Sequence, residues 1–207
     1  MLELYGRHIF PRLMDWFMSG EEFHRLRGEL LQAAQGNVLE IGFGTGLNLS
    51  HYPPHISRLS LIDPAVILPQ TVRNRLDAVP FPVEAVHRTA EHLPYPDRCF
   101  DTIVSTWTLC TIPDPVQALR EAARVLKPSG HVLFLEHGRS DDPRVALWQD
   151  RLNPVQNIVG CGCHLNRRID RLIEESGLTI TTLNRFEMRD VPRIGGTMYR
   201  GDAVLAA

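Results

Sequence analysis

The sequence predicts an α/β fold: a doubly wound, mostly parallel sheet with helices on both faces. Short apolar segments bounded by turn residues alternate with segments of helical periodicity, as in parallel sheets. A glycine-rich turn, "VLEIGFGTG" at 38–46, follows the first apolar segment. The 207 residues, 43% of them hydrophobic, match one domain that buries a substantial core.

Five apolar segments are predicted as buried strands because each is short and has turn residues at its ends. They are 38–41, 59–62, 83–86, 102–106 and 131–136. Apolar residues three and four apart predict helices over 66–76 and 116–126. "KPSGH" supplies a proline and a glycine that end the second helix.

The N-terminal stretch, 5–34, is predicted as two helices with a break near Ser19 and Gly20. Ser19 is the predicted N-cap of the second helix, with Glu21 and Glu22 in its first turn. We expect these helices to cover the core. A substrate lid or a membrane-touching surface is the alternative.

The regular alternation ends after the fifth strand. The segment 138–165 is longer than an ordinary connection and is predicted as a substrate-side insertion. A helix over 169–175 ends at Gly177, and 179–187 with 197–205 form a closing antiparallel pair. The predicted organisation is one domain, 1–207, with a helical cover (1–35), a cofactor-binding half (36–137), the insertion and the closing elements (166–207).

Charge and cysteine content narrow the function classes. There are 22 basic and 24 acidic residues, so nothing indicates a nucleic-acid partner. No apolar run approaches the roughly 18 residues that span a bilayer, and no signal pattern begins the chain, so a cytoplasmic location is expected. Four cysteines predict reduced thiols. Cys161, Cys163 and His164 are spaced more tightly than zinc ligand pairs, so no metal site is predicted.

The glycine-rich turn predicts a cofactor loop. Glycines at positions 42, 44 and 46 allow a tight turn and let a ligand lie against bare backbone. The order Glu40-x-Gly42-x-Gly44-x-Gly46 differs from the dinucleotide fingerprint G-x-G-x-x-G, and no phosphate-binding lysine follows. A phosphate ligand is therefore disfavoured.

Four motifs resemble, in order and spacing, those of S-adenosylmethionine-dependent methyltransferases with the Rossmann-like seven-stranded fold. "VLEIGFGTG" resembles the first motif, and Asp63 ends the second strand where that family has its acidic residue. "TAEHLPYPDRCFDTIVST" and "ALREAARVLKPSGHVLFLE" resemble the next two stretches, with Asp101 opening the fourth strand. The resemblance covers 36–136.

The resemblance implies S-adenosyl-L-methionine as cofactor and S-adenosyl-L-homocysteine as product. It implies that Asp63 accepts hydrogen bonds from both ribose hydroxyls, a task suited to a carboxylate. Ala90 and Glu91 would border the adenine. The other residues expected at the cofactor are Glu40, Gly42, Phe43, Gly44, Thr45, Gly46, Asn48, Pro64, Ser105 and Thr106.

A narrower similarity extends over nearly the whole chain. "STWTLCTI", "LFLEHGR", Trp148, "LNPVQ" and "GCGCHLNRR" resemble the methyltransferase-like protein seven group, whose animal members methylate small aliphatic thiols. Those members carry an apolar N-terminal anchor, whereas this chain begins with an aromatic, charge-interrupted segment. The resemblance implies a small-molecule thiol acceptor, and membrane contact would be peripheral.

His137 is the candidate catalytic residue because it follows the fifth strand, where ligands bind in open parallel sheets. It could accept a proton or orient the acceptor; hydrogen bonding to the cofactor or a loop is the alternative. We interpret several other side chains as pocket walls, a helix cap or core filling: Trp107, Cys110, Trp148, Cys163, His164, Asn166, Arg167 and Tyr199.

The sequence thus predicts methyl transfer from S-adenosylmethionine to a small-molecule acceptor, a thiol or similar soft nucleophile. A lipid or quinone-precursor methyltransferase is the first alternative. A non-catalytic S-adenosylmethionine-binding protein is the second.

Overall fold

The structure is a computed structural model that describes residues 4–65, 69–189 and 191–206. The strands of these residues form one sheet. They are β1 (Asn37–Ile41), β2 (Arg58–Ile62), β3 (Val83–Val86), β4 (Phe100–Thr106), β5 (Leu126–His137), β6 (Leu178–Glu187) and β7 (Thr197–Leu205). Their order in the sheet is β3-β2-β1-β4-β5-β7-β6.

Strands β1 to β5 pair in parallel with their neighbours, whereas β7 runs antiparallel to both β5 and β6. This confirms the predicted Rossmann-like fold, including the antiparallel strand near the C-terminal edge. The fifth strand begins at Leu126 and so includes the proline and glycine predicted to separate it from the preceding helix.

Helices connect the strands and precede the first one. They are a π-helical turn (Tyr5–Ile9), α1 (Phe10–Met18), α2 (Glu21–Leu31), a 3₁₀ turn (Leu49–His51), α3 (Pro69–Leu76), α4 (Pro115–Val125), α5 (Pro143–Val159), α6 (Ile169–Glu175) and α7 (Arg193–Gly196). Among the described residues, no helix is both long enough and apolar enough to cross a bilayer.

Around the central strands each face of the sheet is apolar and covered, as parallel strands require. Because side chains alternate along a strand, Leu39 of β1 packs with α4 and α6, whereas Val38 packs on the opposite face with α2 and α3. Helix α4 shows why the sequence folds this way. The carboxylate of Asp114 accepts from the backbone N–H of Gln117 at 3.0 Å and caps the helix, and its apolar stripe is buried.

The predicted break between the N-terminal helices is confirmed, but its predicted cap is wrong. The N-cap of α2 is Gly20, which has no side chain that could bond to the first turn of the helix. The hydroxyl of Ser19 instead donates to the carbonyl of Asp15, one turn back. The predicted helix over 66–76 appears as α3 from Pro69, and 66–68 lie outside the described residues.

The insertion predicted over 138–165 contains a helix of 17 residues, α5, that the sequence analysis did not predict. Asp142 caps it by accepting from the backbone N–H of Arg144 at 2.9 Å, and Pro143 occupies its first turn. Pro154 lies inside α5, and a proline inside a helical pattern argues against a helix. Most of the segment is therefore helical.

Candidate functional site

The candidate site lies where the carboxyl ends of the central strands meet. The register pairs Ile41 of β1 with Ile62 of β2 and with Ser105 of β4. Strand order reverses between β1 and β4, and ligands of open parallel sheets bind at such a point. The glycine-rich loop, Asp63, the end of β4 and His137 therefore share one edge.

The three loop glycines adopt left-handed backbone angles, with φ of +71° at Gly42, +52° at Gly44 and +80° at Gly46. A Cβ at Gly42 would lie 2.2 Å from Thr108 Cγ2, whereas a Cβ at Gly44 would meet no atom within 4 Å. Gly42 is thus required for packing. Gly44 leaves bare backbone facing open space, which is what a closely bound ligand requires.

The two other loop residues expected at the cofactor use their side chains elsewhere or remain partly exposed. The Phe43 ring is buried in the core, so this residue can offer a ligand only its backbone. Thr45 is half-buried, and its carbonyl accepts from Arg75 Nη1 at 2.7 Å. Arg75 also pairs with Asp15 at 2.6 Å, which connects the loop to α1.

Asp63 fixes the loop to the end of β2. Its Oδ2 accepts from the backbone N–H of Gly44 at 3.0 Å and its Oδ1 from that of Ala65 at 2.9 Å. The side chain is buried, and this burial raises the pKa of the Asp63 carboxyl. Pro64, which follows it, is exposed. A ligand hydroxyl near Gly44 would be within reach of a carboxylate that is already oriented.

Glu40 lies beneath the loop in a buried hydrogen-bond network. Asn48 Nδ2 donates to its Oε1 at 2.9 Å, and the Tyr52 hydroxyl donates to its Oε2 at 2.7 Å. Burial raises the pKa of Glu40 to about 7. Asn48 Nδ2 also lies 2.9 Å from Thr106 Oγ1, and Asn48 Oδ1 is buried without a hydrogen-bond partner in the described chain. Tyr52 was not predicted, since nothing in its local sequence marks it.

The residues expected near the adenine lie on the loop after β3. Ala90 is buried in the same core cluster as Ile62, and Glu91 is half-buried. Glu91 Oε1 accepts from the backbone N–H of Asp114 at 3.4 Å, a weak bond that leaves the carboxylate available to a ligand. Asp101 is the second residue of β4, and it receives the backbone N–H of Asn37. It therefore holds the opposite end of the strand.

Glu136 orders the end of β4 and is a residue that the sequence analysis missed. The Ser105 hydroxyl donates to its Oε1 at 2.7 Å, so this predicted cofactor residue is already engaged. The backbone N–H groups of Thr108 and Leu109 donate to its Oε2 at 2.8 and 3.1 Å. Burial raises the pKa of Glu136 to about 7. Glu136 thus fixes the loop that carries Trp107 and Cys110.

An apolar cavity of about 630 Å³ adjoins this edge. Helix α1, helix α5 and the loop after β4 form its walls. Trp107 contributes from a left-handed backbone angle, φ +50°, and Arg27 lies 4.7 Å from its ring centroid. A non-glycine residue in that region is a strained position of the kind found at functional sites. Other apolar lining residues are Tyr5, Phe10, Leu13, Phe17, Leu152 and Val155.

His137 lies on the cavity wall together with Cys110 and Cys163. Its Nε2 is 3.2 Å from Cys163 Sγ, and its Nδ1 is buried without a hydrogen-bond partner in the described chain. The neighbouring Cys110 thiol and burial raise the pKa of Cys163 well above the ordinary thiol range. The structure thus brings two thiols to the imidazole, a grouping that the sequence analysis did not predict.

Other side chains that the sequence analysis interpreted as walls or caps have different roles. His164 lies between Asn153 and Asn157 of α5, at 3.1 Å from each. Arg167 Nη1 donates to the carbonyl of Ile112 at 2.7 Å. Trp148 is exposed and Asn166 bonds to Asp150, so neither side chain lines the cavity or caps α6. Tyr199 is buried in the core, which is the core-filling alternative, and it donates to the Arg139 carbonyl.

A family model described as "Methyltransferase domain" matches residues 39–134, from β1 through β5. Human thiol S-methyltransferase TMT1B is 31% identical over 177 residues, 80% of this chain and 69% of that protein. Human thiol S-methyltransferase TMT1A is 28% identical over 194 residues, 89% of this chain and 74% of that protein. The phosphatidylethanolamine N-methyltransferase of Cereibacter sphaeroides is 28% identical over 152 residues, 72% of this chain and 73% of that protein.

Solved structures share the architecture at lower identity. A geranyl diphosphate methyltransferase in complex with SAM superposes with a TM-score of 0.68 at 11% identity, covering 88% of this chain and 84% of that one. At this identity the likeness concerns the fold alone.

Proposed function

The chain belongs to the S-adenosylmethionine-dependent methyltransferases, and from that premise we propose that it methylates a small apolar thiol. The observation that supports this proposal is the apolar cavity beside the cofactor edge, whose wall includes one imidazole and two thiols close together. A cavity of this kind suits an apolar molecule with one soft nucleophilic atom. The two human relatives are named thiol S-methyltransferases, which supports the same acceptor class.

The chain's own residues fit the cofactor. When bound, S-adenosylmethionine supplies a methyl group that is already activated on a sulfonium. The buried Asp63 carboxylate would accept hydrogen bonds from the ribose hydroxyls, and the bare backbone at Gly44 would lie against the cofactor. Asn48 Oδ1, buried and without a partner in the described residues, is an acceptor that a bound ligand could satisfy. Ala90 and Glu91 would border the adenine.

His137 is the residue that we place at the acceptor. Its position on the cavity wall, directly after β5, suits accepting a proton or orienting the acceptor. Methyl transfer is an in-line displacement, so positioning of the two reactants is the main task of the protein. Trp107 lines the cavity, and the ring face that Arg27 does not cover could attract a sulfonium.

The experiment is direct. The protein is incubated with S-adenosylmethionine labelled in its methyl group and with a panel of alkane thiols, quinol precursors and phospholipids. We expect label in thioethers. Label only in lipid or quinol would reject the thiol acceptor, and cofactor binding without any labelled product would contradict catalysis on this panel.

A lipid acceptor is the second candidate, and one specific observation favours it. Large apolar side chains are exposed on both helices beside the cavity, for example Trp16 of α1 at 75% and Ile158 of α5 at 59%. Such side chains suit contact with a bilayer surface, from which a lipid could enter the cavity. The phosphatidylethanolamine N-methyltransferase relative is consistent with that acceptor class. We propose peripheral membrane contact through these two helices for either acceptor.

A further inference from the structure

Three soft ligand atoms converge at one point of the cavity wall. Cys110, His137 and Cys163 each offer one ligand atom, and these atoms all lie within 4.8 Å of one another. The shortest separation is 3.2 Å, between His137 Nε2 and Cys163 Sγ. The three residues come from different places: the loop after β4, the end of β5 and the loop after α5.

The spacing is close to that of a zinc site. Zinc binds thiolate sulfur at about 2.3 Å and imidazole nitrogen at about 2.0 Å in a tetrahedron, which places the ligand atoms about 3.5 to 3.8 Å apart. Shifts of about 1 Å or less would bring the three atoms to that geometry. Two thiolates and an imidazole are also a donor set that zinc prefers over the hard cations.

The surroundings of the imidazole also favour a bound cation. In the described chain, the only hydrogen-bond neighbour of the His137 ring is the Cys163 sulfur, and the residue as a whole is 9% exposed. A thiol is a weak hydrogen-bond partner, and burying an imidazole without a good partner costs free energy. A zinc ion bound at Nε2 would replace this weak partner with a strong one, while the buried Nδ1 would keep its proton.

The fourth position of such a site would open toward the acceptor. All three residues line the same apolar cavity. Three protein ligands with one open position distinguish catalytic zinc sites from structural ones. We propose that Cys110, His137 and Cys163 bind a zinc ion whose fourth ligand is the sulfur of the acceptor thiol. This inference rests on the proposed thiol acceptor, and it specifies that His137 acts through the metal and not as a base.

The proposed step balances without another reactant. The acceptor R–SH loses its proton to solvent as its sulfur binds the zinc. A lone pair of that sulfur forms the new S–CH₃ bond, and the methyl–sulfonium bond breaks with its electron pair returning to the cofactor sulfur. The products are a neutral thioether and S-adenosylhomocysteine, and the zinc keeps its oxidation state. A thioether is a weaker ligand than a thiolate, so the product can leave.

Metal content is the first test. The full chain is purified under reducing conditions, dialysed against zinc, and its bound metal is measured by mass spectrometry. We expect one zinc per chain. Cys110→Ser and Cys163→Ser should each weaken zinc binding by more than about 100-fold, because losing a ligand costs more than losing an outer hydrogen-bond partner. Cys99→Ser and Cys161→Ser, which alter cysteines outside the cluster, are the matched controls and should keep the metal.

Cobalt substitution of the unaltered chain tests the ligands without relying on a variant that folds. Tetrahedral cobalt with thiolate ligands gives visible ligand-field bands and sulfur-to-metal charge-transfer absorption. We expect both, and we expect the charge-transfer absorption to increase when 2-mercaptoethanol is added. Absence of cobalt binding by the reduced chain, or a spectrum unaltered by the thiol, would overturn the proposal.

The outcomes separate this inference from the proposed function. If chelator-treated and zinc-loaded protein methylate thiols equally, the proposed zinc site is wrong and the proposed thiol acceptor stands. If the protein binds zinc but methylates only lipids or quinols, the proposed thiol acceptor is wrong. The fourth zinc ligand proposed above is then wrong as well. Zinc-dependent thiol methylation, with S-adenosylhomocysteine binding unchanged after chelation, supports both.

Discussion

Gly42 and Gly44 show how two neighbouring glycines can be required for different reasons. Gly44 has a left-handed φ of +52°, and a Cβ there would meet no atom within 4 Å. We expect Gly44→Ala to lower the free energy of unfolding by about 1–2 kcal/mol through backbone strain. The same methyl group should weaken S-adenosylhomocysteine binding by more than about tenfold, since it would occupy the ligand's side of the loop. Urea unfolding and titration calorimetry measure the two effects.

Two other glycines are the controls for Gly44→Ala. Gly177 has φ +90° and also nothing within 4 Å of a Cβ, but it lies after α6, so Gly177→Ala should show the strain without the loss of binding. Gly42→Ala should destabilise the fold most, because its Cβ would overlap Thr108. Wild-type affinity of the Gly44→Ala protein for S-adenosylhomocysteine would contradict our interpretation of the loop.

Asp63 carries the second residue-scale prediction. Asp63→Asn removes the charge that strengthens hydrogen bonds from ribose hydroxyls, and such charge-assisted bonds contribute about 1.5–3 kcal/mol. We expect S-adenosylhomocysteine affinity to fall by about 10- to 100-fold in calorimetry. Thermal unfolding must be monitored as well, since Asp63 accepts two backbone N–H bonds. Asp77→Asn, an exposed position after α3, is the control; equal affinities in both variants would exclude Asp63 from the cofactor site.

Glu40 gives a pH dependence with a definite sign. Burial raises its folded-state pKa to about 7, above the ordinary 4.5, so the stability linked to its neutral form is present below pH 4.5 and is lost as pH rises through 7. Glu40→Gln removes this dependence. The stability of the parent relative to the variant should therefore fall by up to ~1.4 kcal/mol per pH unit between these values. Urea unfolding of both proteins at several pH values checks this pH dependence. If the difference in free energy of unfolding between parent and variant is the same at every pH, Glu40 stays ionised over this range.

At the scale of elements, α1 and α5 present apolar stripes to solvent on either side of the cavity. The exposed residues of α5 recur three and four positions apart, among them Trp148, Leu152 and Val155. We expect the double variant Trp148→Glu, Ile158→Glu to lose most of its cosedimentation with anionic lipid vesicles, because charged side chains are expelled from the bilayer interface. Neither residue lines the cavity, so methylation of a water-soluble thiol should be unchanged.

Leu183→Glu is the matched control for those helices. Leu183 is exposed on β6, away from the cavity, and its substitution should leave vesicle binding unchanged. If the parent protein does not cosediment with vesicles, the membrane contact proposed for α1 and α5 is wrong. If Leu183→Glu lowers binding as much as the α5 variant, net charge and not the stripe controls the interaction.

Helices and strands with a clear local sequence pattern could be predicted, and those without such a pattern could not. The five parallel strands were predicted from short apolar runs with turn residues at both ends, and their observed bounds differ mainly at the N-terminal side of β4 and β5. Helix α5 was not predicted for two reasons: Pro154 lies inside it, and apolar residues occupy the solvent-exposed face that is polar in most surface helices. Ser19 failed as a cap because Gly20 supplies an extended backbone at that position.

At the scale of the whole molecule, the placement of the glycine loop and Asp63 at one edge of the sheet was predictable, and the convergence of Cys110, His137 and Cys163 was not. The glycine loop and Asp63 follow strands in sequence, so their positions come from a continuous motif and a known strand edge. Cys110, His137 and Cys163 are far apart in the chain. Their convergence depends on how the loop after α5 packs against the end of β5, and no local pattern encodes such long-range packing.

We expect folding and acceptor binding to depend on different N-terminal helices. Helix α1 buries only Pro11, whereas α2 buries Phe23, Leu26 and Leu31 among others in the core. A chain that begins at Gly20 should therefore keep a cooperative unfolding transition and bind S-adenosylhomocysteine. It would lose the cavity wall that α1 provides, so we expect the KM for an apolar thiol to rise by at least about tenfold, as buried apolar contacts of that size imply.

The control for the chain that begins at Gly20 is a shorter chain that begins at Gln32 and also lacks α2. Its removal would expose the apolar face of the sheet around Val38 that α2 covers, and we expect no cooperative unfolding. Calorimetric unfolding and thiol kinetics on both truncated chains decide the matter. A chain from Gly20 with the KM of the full-length protein would show that the acceptor does not use the wall formed by α1. A chain from Gly20 that fails to fold would show that α1 stabilises the core through contacts such as Arg75 with Asp15, and the separation of roles would be wrong.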